Sequence, residues 1–216
     1  MIKIFLDTMA LTIGALLPII NPFSTAPLFV SLTAGFEDKR RTQQALLGCV
    51  YAFVILVVFL LVGTWIIDFF GISVSGIRVA GGLIISTTGF RMLFPSSSAA
   101  PDGAPSGPHQ QDIAFAPIAM PSLAGPGSIT VVLGAATQIK SIRPDDWGLF
   151  YLAVILGMAI TLAMSFLVLR AASSMVRFLG RGGIDAMTRI FGFLLICIGV
   201  QFLLTGISGF FGLKLG

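Results

Sequence analysis

Charged residues are scarce in this chain. Only 10% of its 216 residues are charged, whereas 56% are hydrophobic. A soluble domain typically has about 25% charged residues. The mean hydropathy is +1.00, and the shortage of charge extends over almost the whole length. These values exclude a soluble domain with a single anchor, and they predict an all-α polytopic membrane protein.

The residues of enzyme chemistry are scarce as well. The one histidine, His109, lies in a polar connection, and the two cysteines, Cys49 and Cys197, lie within apolar runs. "GISG" at 206–209 resembles a serine motif of intramembrane proteases, but no histidine within an apolar run could serve Ser208 as a base. We therefore expect no enzyme activity, no cofactor and no metal site. The Lys and Arg residues form no basic stripe, which argues against a nucleic-acid partner.

Six apolar runs are long enough to cross a bilayer, which takes roughly 20 residues as a helix. The runs occupy about 5–34, 45–69, 74–94, 112–138, 147–170 and 189–211. A connection rich in Pro, Ser and Gly separates the third run from the fourth, and its composition predicts a flexible segment. The predicted organisation is a first three-helix repeat at 1–94, a flexible cytoplasmic linker at 95–111 and a second three-helix repeat at 112–216.

The two halves share a pattern of prolines. A shift of 99 residues superimposes three pairs, which are Pro18 on Pro117, Pro22 on Pro121 and Pro27 on Pro126. A shift of 110 residues matches the third runs, placing Gly82 on Gly192, Gly89 on Gly199 and Arg91 on Gln201. A repeat with three crossings must enter the membrane from opposite sides in its two copies. The pattern therefore predicts two inverted repeats, an architecture common among secondary transporters.

Loop charges predict the orientation. One side holds eight basic residues, which are Lys39, Arg40, Arg41, Arg91, Arg170, Arg177, Arg181 and Arg189. The other side holds five, which are Lys3, Arg78, Lys140, Arg143 and Lys214. Since basic residues favour the cytoplasmic side, both termini are predicted to be periplasmic. Arg78 lies close to a span end, where snorkelling of the side chain is the simpler interpretation.

The prolines predict that the first and fourth spans are discontinuous. Proline lacks an N–H and clashes with the preceding turn, and Asn21-Pro22 is typical of a helix start. A helix that restarts at mid-depth offers N–H groups to a carboxylate. Carbonyls and the hydroxyls of Ser24, Thr25, Ser122 and Ser128 could hold an ammonium group. The predicted ligand is a small neutral amino acid. Gln201 could donate to this ligand or to a neighbouring helix.

The motifs "LLPIINP" (16–22), "GFRMLFP" (89–95) and "MPSLAGPGSI" (120–129) resemble the MarC family of bacterial inner-membrane proteins. The family is similar to small neutral amino acid transporters. The resemblance implies a six-span fold in the inner membrane, with discontinuous first and fourth spans and both termini outside. It also implies a set of ligand-site residues, namely Asn21, Pro22, Pro27, Pro121, Gly125, Pro126 and Gly127.

The sequence thus predicts a secondary transporter of small neutral amino acids that works by alternating access. Ser128, from "GPGS", joins the predicted site. Coupling to protons is expected from the transporter class alone, and a homo-oligomer stays open. One alternative is an exporter of drugs or metabolites, which would need a wider and more apolar cavity. Another is a non-transporting structural membrane protein, in which the broken spans would be close-packed and dry. The small-residue stripe Gly82, Ser86 and Gly89 predicts helix packing rather than ligand binding.

Overall fold

Apolar runs of this length satisfy their backbone groups in lipid only as helices, and helices are what the chain forms. The computed structural model describes residues 2–94, 113–142 and 147–213, and all regular structure in these ranges is helical. The predicted linker at 95–111 lies outside the described residues. The elements are α1 (Ile2–Ile20), α2 (Pro22–Leu32), α3 (Asp38–Phe70), α4 (Val74–Leu93), a wide segment (Ala114–Leu123), α5 (Pro126–Ile142), α6 (Trp147–Arg170) and α7 (Ala172–Phe211).

Four helices in the described ranges are long and apolar enough to cross a membrane. They are Ile2–Ile20, Asp38–Phe70, Trp147–Arg170 and the Gly182–Phe211 part of α7. The prediction of six spans is therefore supported only in part. The third predicted run forms α4, which includes Arg78, Arg91 and several Gly, Ser and Thr residues that lower its hydropathy. The fourth run does not form one long helix, because it is divided between the wide segment and α5.

Individual residues explain where α3 ends, where α4 begins and where α7 bends. Gly71 ends α3 in the left-handed conformation, with φ 63°, which glycine adopts without a steric penalty. Ser73 then caps α4, since its hydroxyl accepts a hydrogen bond from the Gly76 N–H at 3.0 Å. Inside α7, Gly180 leaves the helical conformation (φ 64°, ψ 178°). The apolar part of α7 therefore begins only after this bend.

The closest helix pair is α4 with α7, which run antiparallel along a stripe of glycines. A Cβ atom added at Gly82 would lie 2.6 Å from the Gly199 carbonyl oxygen, and one added at Gly89 would lie 2.6 Å from the Gly192 carbonyl oxygen. Only glycine permits two backbones to approach this closely. The predicted packing role of the stripe agrees with this geometry, because small residues let membrane helices pack closely.

Replacing Gly89 by valine is expected to destabilise the protein by about 3 kcal/mol, at the upper end of the cost of overpacking a core. The new side chain would meet backbone atoms of α7, which no rotamer change can move aside. Thermal unfolding in detergent measures the effect. Gly14→Val is the matched control, since nothing lies within 4 Å of a Cβ atom at Gly14. Equal unfolding midpoints for the two variants would contradict the close approach.

The remaining helices pack on one another and on this pair. α1 packs on α6 and the wide segment packs on α3, while α2 packs on α7 and α5 packs on α4. Their shared core contains fully buried apolar side chains from both halves, including Leu16, Leu56, Ile118 and Met158. α3 is 33 residues long, about 50 Å at 1.5 Å per residue, and so it extends beyond a hydrocarbon core of roughly 30 Å.

Candidate substrate site at two interrupted helices

The first interruption is a single residue, Asn21, between α1 and α2. Its backbone is left-handed (φ 41°, ψ 68°), and it is the only non-glycine residue with positive φ in the described ranges. Proline disfavours the helical conformation of the residue before it, and asparagine tolerates the left-handed region better than most residues. Asn21 and Pro22 together therefore interrupt the helix. Asn21 is also buried, at 3% exposure, although it lies within a membrane-spanning run.

Hydrogen bonds around Asn21 start the new helix. Its side-chain oxygen accepts from the Ser24 N–H at 3.3 Å, a bond that in a continuous helix would go to the Ile20 carbonyl. The hydroxyls of Ser24 and Thr25 both donate to the Asn21 carbonyl, at 3.2 and 3.4 Å. Each hydroxyl oxygen keeps its lone pairs as acceptors. The Asn21 amide nitrogen donates to the Met92 sulfur at 3.7 Å, a weak acceptor.

The second interruption lies in the wide segment. Met120 is extended (φ −121°, ψ 124°) and precedes Pro121, as Asn21 precedes Pro22. Ala116 is extended too (φ −128°, ψ 126°), and its bond to Pro117 is cis. The Ala124 N–H bonds to the Ala119 carbonyl at 2.8 Å, which closes a five-residue turn wider than an α-helical one. The shift of 99 residues that aligns the prolines also places Asn21 on Met120.

α5 restarts immediately after this segment. The Ser128 hydroxyl donates back across the gap to the Leu123 carbonyl at 3.0 Å. The Gly125 carbonyl accepts the Ile129 N–H at 3.0 Å. A helix therefore ends and another begins within a few residues in each half of the chain, and each restart is closed by a Ser or Thr hydroxyl bonded to a backbone carbonyl.

The two interruptions meet in space. A Cβ atom at Gly127, in the first turn of α5, would lie 3.1 Å from Ile19 Cγ2 and 3.2 Å from Ile85 Cγ1. The end of α1, the start of α5 and the middle of α4 therefore converge at Gly127. Asn21 contacts α4 further along the same helix, through Met92. α4 is thus the element that joins both interruptions.

The residues of the predicted site differ in burial. Pro121 lies in the wide segment. Asn21, Pro22, Thr25, Gly125 and Ser128 are buried, Ser24, Pro27, Ser122 and Gly127 are half-buried, and Pro126 is exposed. Gln201 is also exposed on α7, where its amide donates to the Thr205 hydroxyl at 3.4 Å. The structure packs α1 on α5 and α2 on the wide segment, but it leaves Gln201 exposed on the outer surface of the bundle.

A cavity of about 380 Å³ lies beside the interruptions and not at them. It runs along α1 from Ile4 to Leu16, between α1, α5 and α6, and none of the predicted site residues lines it. Its inner limit is near Leu16 and Val131, about one helical turn from Asn21 and Ser128 by the helical rise. We call this space the vestibule. Its polar lining, Thr8, Thr12, Arg78 and Gln138, was not predicted as a site.

A contact at the opposite end of the bundle ties α2 to α7. The Arg41 guanidinium donates to the Ser173 hydroxyl at 3.0 Å and to the Thr33 carbonyl at 3.3 Å. It also lies 3.4 Å from a carboxylate oxygen of Asp38, whose side chain is 98% exposed. Phe23 of α2 stacks on Phe191 of α7, with ring centroids 5.2 Å apart. We call the contacts of Arg41 with Ser173, Thr33 and Asp38 the Arg41 clamp. The clamp holds the C-terminal end of α2, at the end of the bundle farthest from the vestibule.

Comparison with known proteins adds a family to this geometry. Residues 6–211 match the family model described as MarC family integral membrane protein. The inner membrane protein MarC of Escherichia coli K12 is 40% identical over 208 residues, covering 89% of this chain and 90% of the relative. The same protein of Shigella flexneri has the same identity and coverage. Both carry the designation UPF0056. No solved structure matches the chain.

Proposed function

Because this chain belongs to the MarC family of integral membrane proteins, we propose that it is a secondary transporter of small neutral amino acids, working by alternating access. The observation that carries the proposal is the pair of helix interruptions at Asn21 and Met120, which are 99 residues apart. Broken helices at corresponding positions of two halves mark the binding site in many secondary transporters. The relatives are named inner membrane proteins, and we place this chain in the same membrane with periplasmic termini.

Reciprocal contacts between α4 and α7 support an inverted repeat. Under the shift of 110 residues, the contact of Gly82 with Gly199 becomes the contact of Gly192 with Gly89, and both pairs touch. Two more contacts recur in the same way. Gly82 with Leu203 recurs as Gly192 with Leu93, and Gly199 with Ser86 recurs as Gly89 with Ile196. A two-fold axis between the helices produces such isologous pairs.

The helix packing supports the same two-fold axis. In the proposed repeat, α1 and α2 correspond to the wide segment and α5, α3 corresponds to α6, and α4 corresponds to α7. Exchange of the halves turns the packing of α1 on α6 into that of the wide segment on α3, and both occur. It likewise turns the packing of α2 on α7 into that of α5 on α4. The proposal is therefore consistent across the helices and does not depend on the glycine stripe alone.

The groups near the interruptions suit a zwitterion. The start of a helix offers N–H groups and the positive end of its dipole to a carboxylate. The Ser24, Thr25 and Ser128 hydroxyls already donate to backbone carbonyls. Their oxygens are left as acceptors, which suits an ammonium group. The Asn21 amide donates to a sulfur in this structure, which is a weak acceptor. Among these side chains, it would therefore gain the strongest new hydrogen bond from a carboxylate.

The two ends of the bundle differ, as alternating access requires. The vestibule leads from the end where α1 begins to within about one turn of the interruptions. At the opposite end, the Arg41 clamp holds α2 on α7. We propose that this arrangement is the state open toward the periplasm, with the Arg41 clamp closing the cytoplasmic side. Proton coupling remains part of the proposal from the transporter class.

Purified protein in liposomes is expected to take up labelled glycine, alanine and serine in a saturable manner, and to exchange them in counterflow. Uptake with and without an imposed proton gradient tests the coupling. Liposomes that lack the protein provide the control. If none of the three amino acids shows uptake or counterflow, the proposed function is wrong, and a non-transporting structural role becomes the better interpretation.

One observation favours a second candidate, an exporter of drugs or metabolites. The vestibule is lined mainly by apolar side chains, and its volume of about 380 Å³ is within the range of sites for drug-sized ligands. Competition in the same liposomes separates the candidates. An exporter of apolar solutes would be inhibited by such solutes and unaffected by glycine or alanine, and the reverse is expected here.

A further inference from the structure

The described lining of the vestibule is mainly apolar and includes one charged side chain. Of the sixteen described residues that line it, Arg78 alone is charged, and no carboxylate is among them. Arg78 is half-buried and lies in the second turn of α4, whose first residue is Val74. An arginine that only snorkels would extend its guanidinium to the membrane surface. Arg78 also lines a cavity that is partly open.

The other polar groups of the vestibule leave Arg78 as its main donor. The hydroxyls of Thr8 and Thr12 donate to the carbonyls of Ile4 and Thr8 in their own helix, at 2.9 and 2.8 Å. Gln138 offers an amide. Hydrogen bonds from guanidinium to carboxylate are charge-assisted and frequently bidentate. A solute with a carboxylate therefore meets a suitable partner on entry.

Arg78 is also placed on the route to the interruptions. It precedes Ile85, which contacts Gly127, by seven residues on α4, a distance of about 10 Å along the helix. Of the described residues that line the vestibule, Leu16 on α1 and Val131 on α5 are the nearest along their helices to the interruptions. A carboxylate bound by Arg78 would thus be about two turns of α4 away from the point where the interruptions converge.

We infer that the vestibule is an entry site for solutes with a carboxylate and no net positive charge, and that Arg78 is its specificity residue. The identity of the solute as a small amino acid rests on the proposed function. Arg78 attracts the carboxylate of a zwitterion, whereas a cationic amino acid or cationic drug meets a like charge that no acidic residue in the described part of the lining offsets. The charge is effective because a low-dielectric surrounding strengthens electrostatic interactions.

Thiol labelling measures this preference without requiring transport. Thr8→Cys places a reporter in the vestibule, in a chain in which the exposed Cys197 is replaced by serine. The rates of reaction with an anionic and a cationic methanethiosulfonate reagent are compared. Arg78→Gln is expected to lower the ratio of anionic to cationic rates about tenfold, the effect of one nearby charge at a partly exposed site. Arg78→Lys should retain most of the ratio.

Leu213→Cys is the matched control, because Leu213 is exposed at the same end of the bundle and does not line the vestibule. Its rate ratio should not respond to Arg78→Gln. Saturating alanine should slow labelling of Thr8→Cys when Arg78 is present and have little effect with Arg78→Gln. An unchanged ratio at Thr8→Cys in the Arg78→Gln chain would overturn the inference, even if alanine uptake proves normal.

The result also separates this inference from the proposed function. If the ratio falls as expected while liposomes show no uptake, the entry site is supported and the transport proposal fails. Liposomes of phosphatidylcholine alone and with phosphatidylglycerol test whether the anion is a lipid phosphate instead. Protection of Thr8→Cys by phosphatidylglycerol, without protection by alanine, would overturn the assignment to a solute carboxylate.

Discussion

Joining α1 and α2 into one continuous helix is expected to lower the affinity for alanine in uptake about 100-fold while the protein stays folded. The variant carries Asn21→Ala and Pro22→Leu together. It removes the left-handed residue and restores the N–H group that proline lacks, and both new residues favour helix. The Ser24 N–H, which bonds to the Asn21 side chain at the break, would then bond to the Ile20 carbonyl as in any α-helix, and that carbonyl would no longer be open to the ligand. Loss of two hydrogen bonds to charged groups, at about 1.5 kcal/mol each, lowers affinity by about 100-fold.

Uptake of labelled alanine and the thermal unfolding midpoint in detergent are measured together on this variant. Pro18→Ala is the control, since Pro18 lies within α1 and its replacement removes a proline without closing the interruption. We expect Pro18→Ala to keep most of the uptake. If the joined helix transports alanine normally, the interruption at Asn21 has no role in binding. A large fall in the unfolding midpoint would show instead that the break is needed for folding.

Removing the Arg41 clamp is expected to expose the interruptions from the opposite end. Arg41→Met loses the bonds to Ser173 and Thr33. Each such bond from a charged group contributes about 1.5–3 kcal/mol. The net contribution of Arg41 to the closed state is smaller, about 2 kcal/mol. Its side chain is 22% exposed, and its Nε atom is buried without a partner. Exposed pairs such as that with Asp38 contribute little. A free energy of about 2 kcal/mol shifts a two-state equilibrium roughly 30-fold.

Labelling of Thr25→Cys reports on that shift. Thr25 is 6% exposed and lies one turn beyond Asn21, so its thiol should react slowly in the state described. In the Arg41→Met chain the rate is expected to rise by about the same factor as the population. Lys39→Met is the matched control, because it removes an exposed positive charge nearby without touching α7. Equal rates in the two chains would show that the Arg41 clamp does not close the protein.

The sequence could predict that the first and fourth runs are interrupted, but not which of their prolines marks the break. Both Asn21 and Met120 precede a proline, and the shift of 99 residues pairs them. The conformation at each break could not be predicted. Pro18 and Pro27 lie within helices, so the same residue type interrupts the chain at one site and is accommodated at another. The outcome depends on whether neighbouring groups satisfy the freed carbonyl, which is a matter of tertiary packing.

The residues around the breaks show that a sequence pattern does not predict which partners their side chains bond to. Hydroxyls of Ser and Thr readily bond to nearby backbone, and in the structure the hydroxyls of Ser24, Thr25 and Ser128 all donate to backbone carbonyls.

Gln201 was matched to Arg91 by the repeat, yet it follows Gly199 by two residues, or about 200° of rotation around the helix axis. Since Gly199 faces α4, Gln201 points away. The rotation of about 100° per residue in an α-helix is enough to predict this orientation from the sequence.

The vestibule was not predictable from local sequence. Its walls come from α1, α5 and α6 together with Arg78 of α4 and Phe202 of α7, segments far apart in the chain. Thr8 and Thr12 are four residues apart and therefore share a face of α1, but nothing in their spacing indicates which helix that face meets. Only the packing of α1 on α6 and α5 places Arg78 beside them.

The reciprocal contacts of α4 and α7 bear on how such a chain could evolve. On the proposed repeat, a gene for one three-helix unit, inserted into the membrane in both orientations, would form the same glycine contact between two separate copies. Fusion then lets the copies diverge at paired positions. Ser86 and Ile196 occupy equivalent places, and the buried Ser86 hydroxyl has no hydrogen-bond partner where the other half has an apolar side chain. On this proposal, one ancestral interface would have become two different surfaces, each able to acquire a separate function.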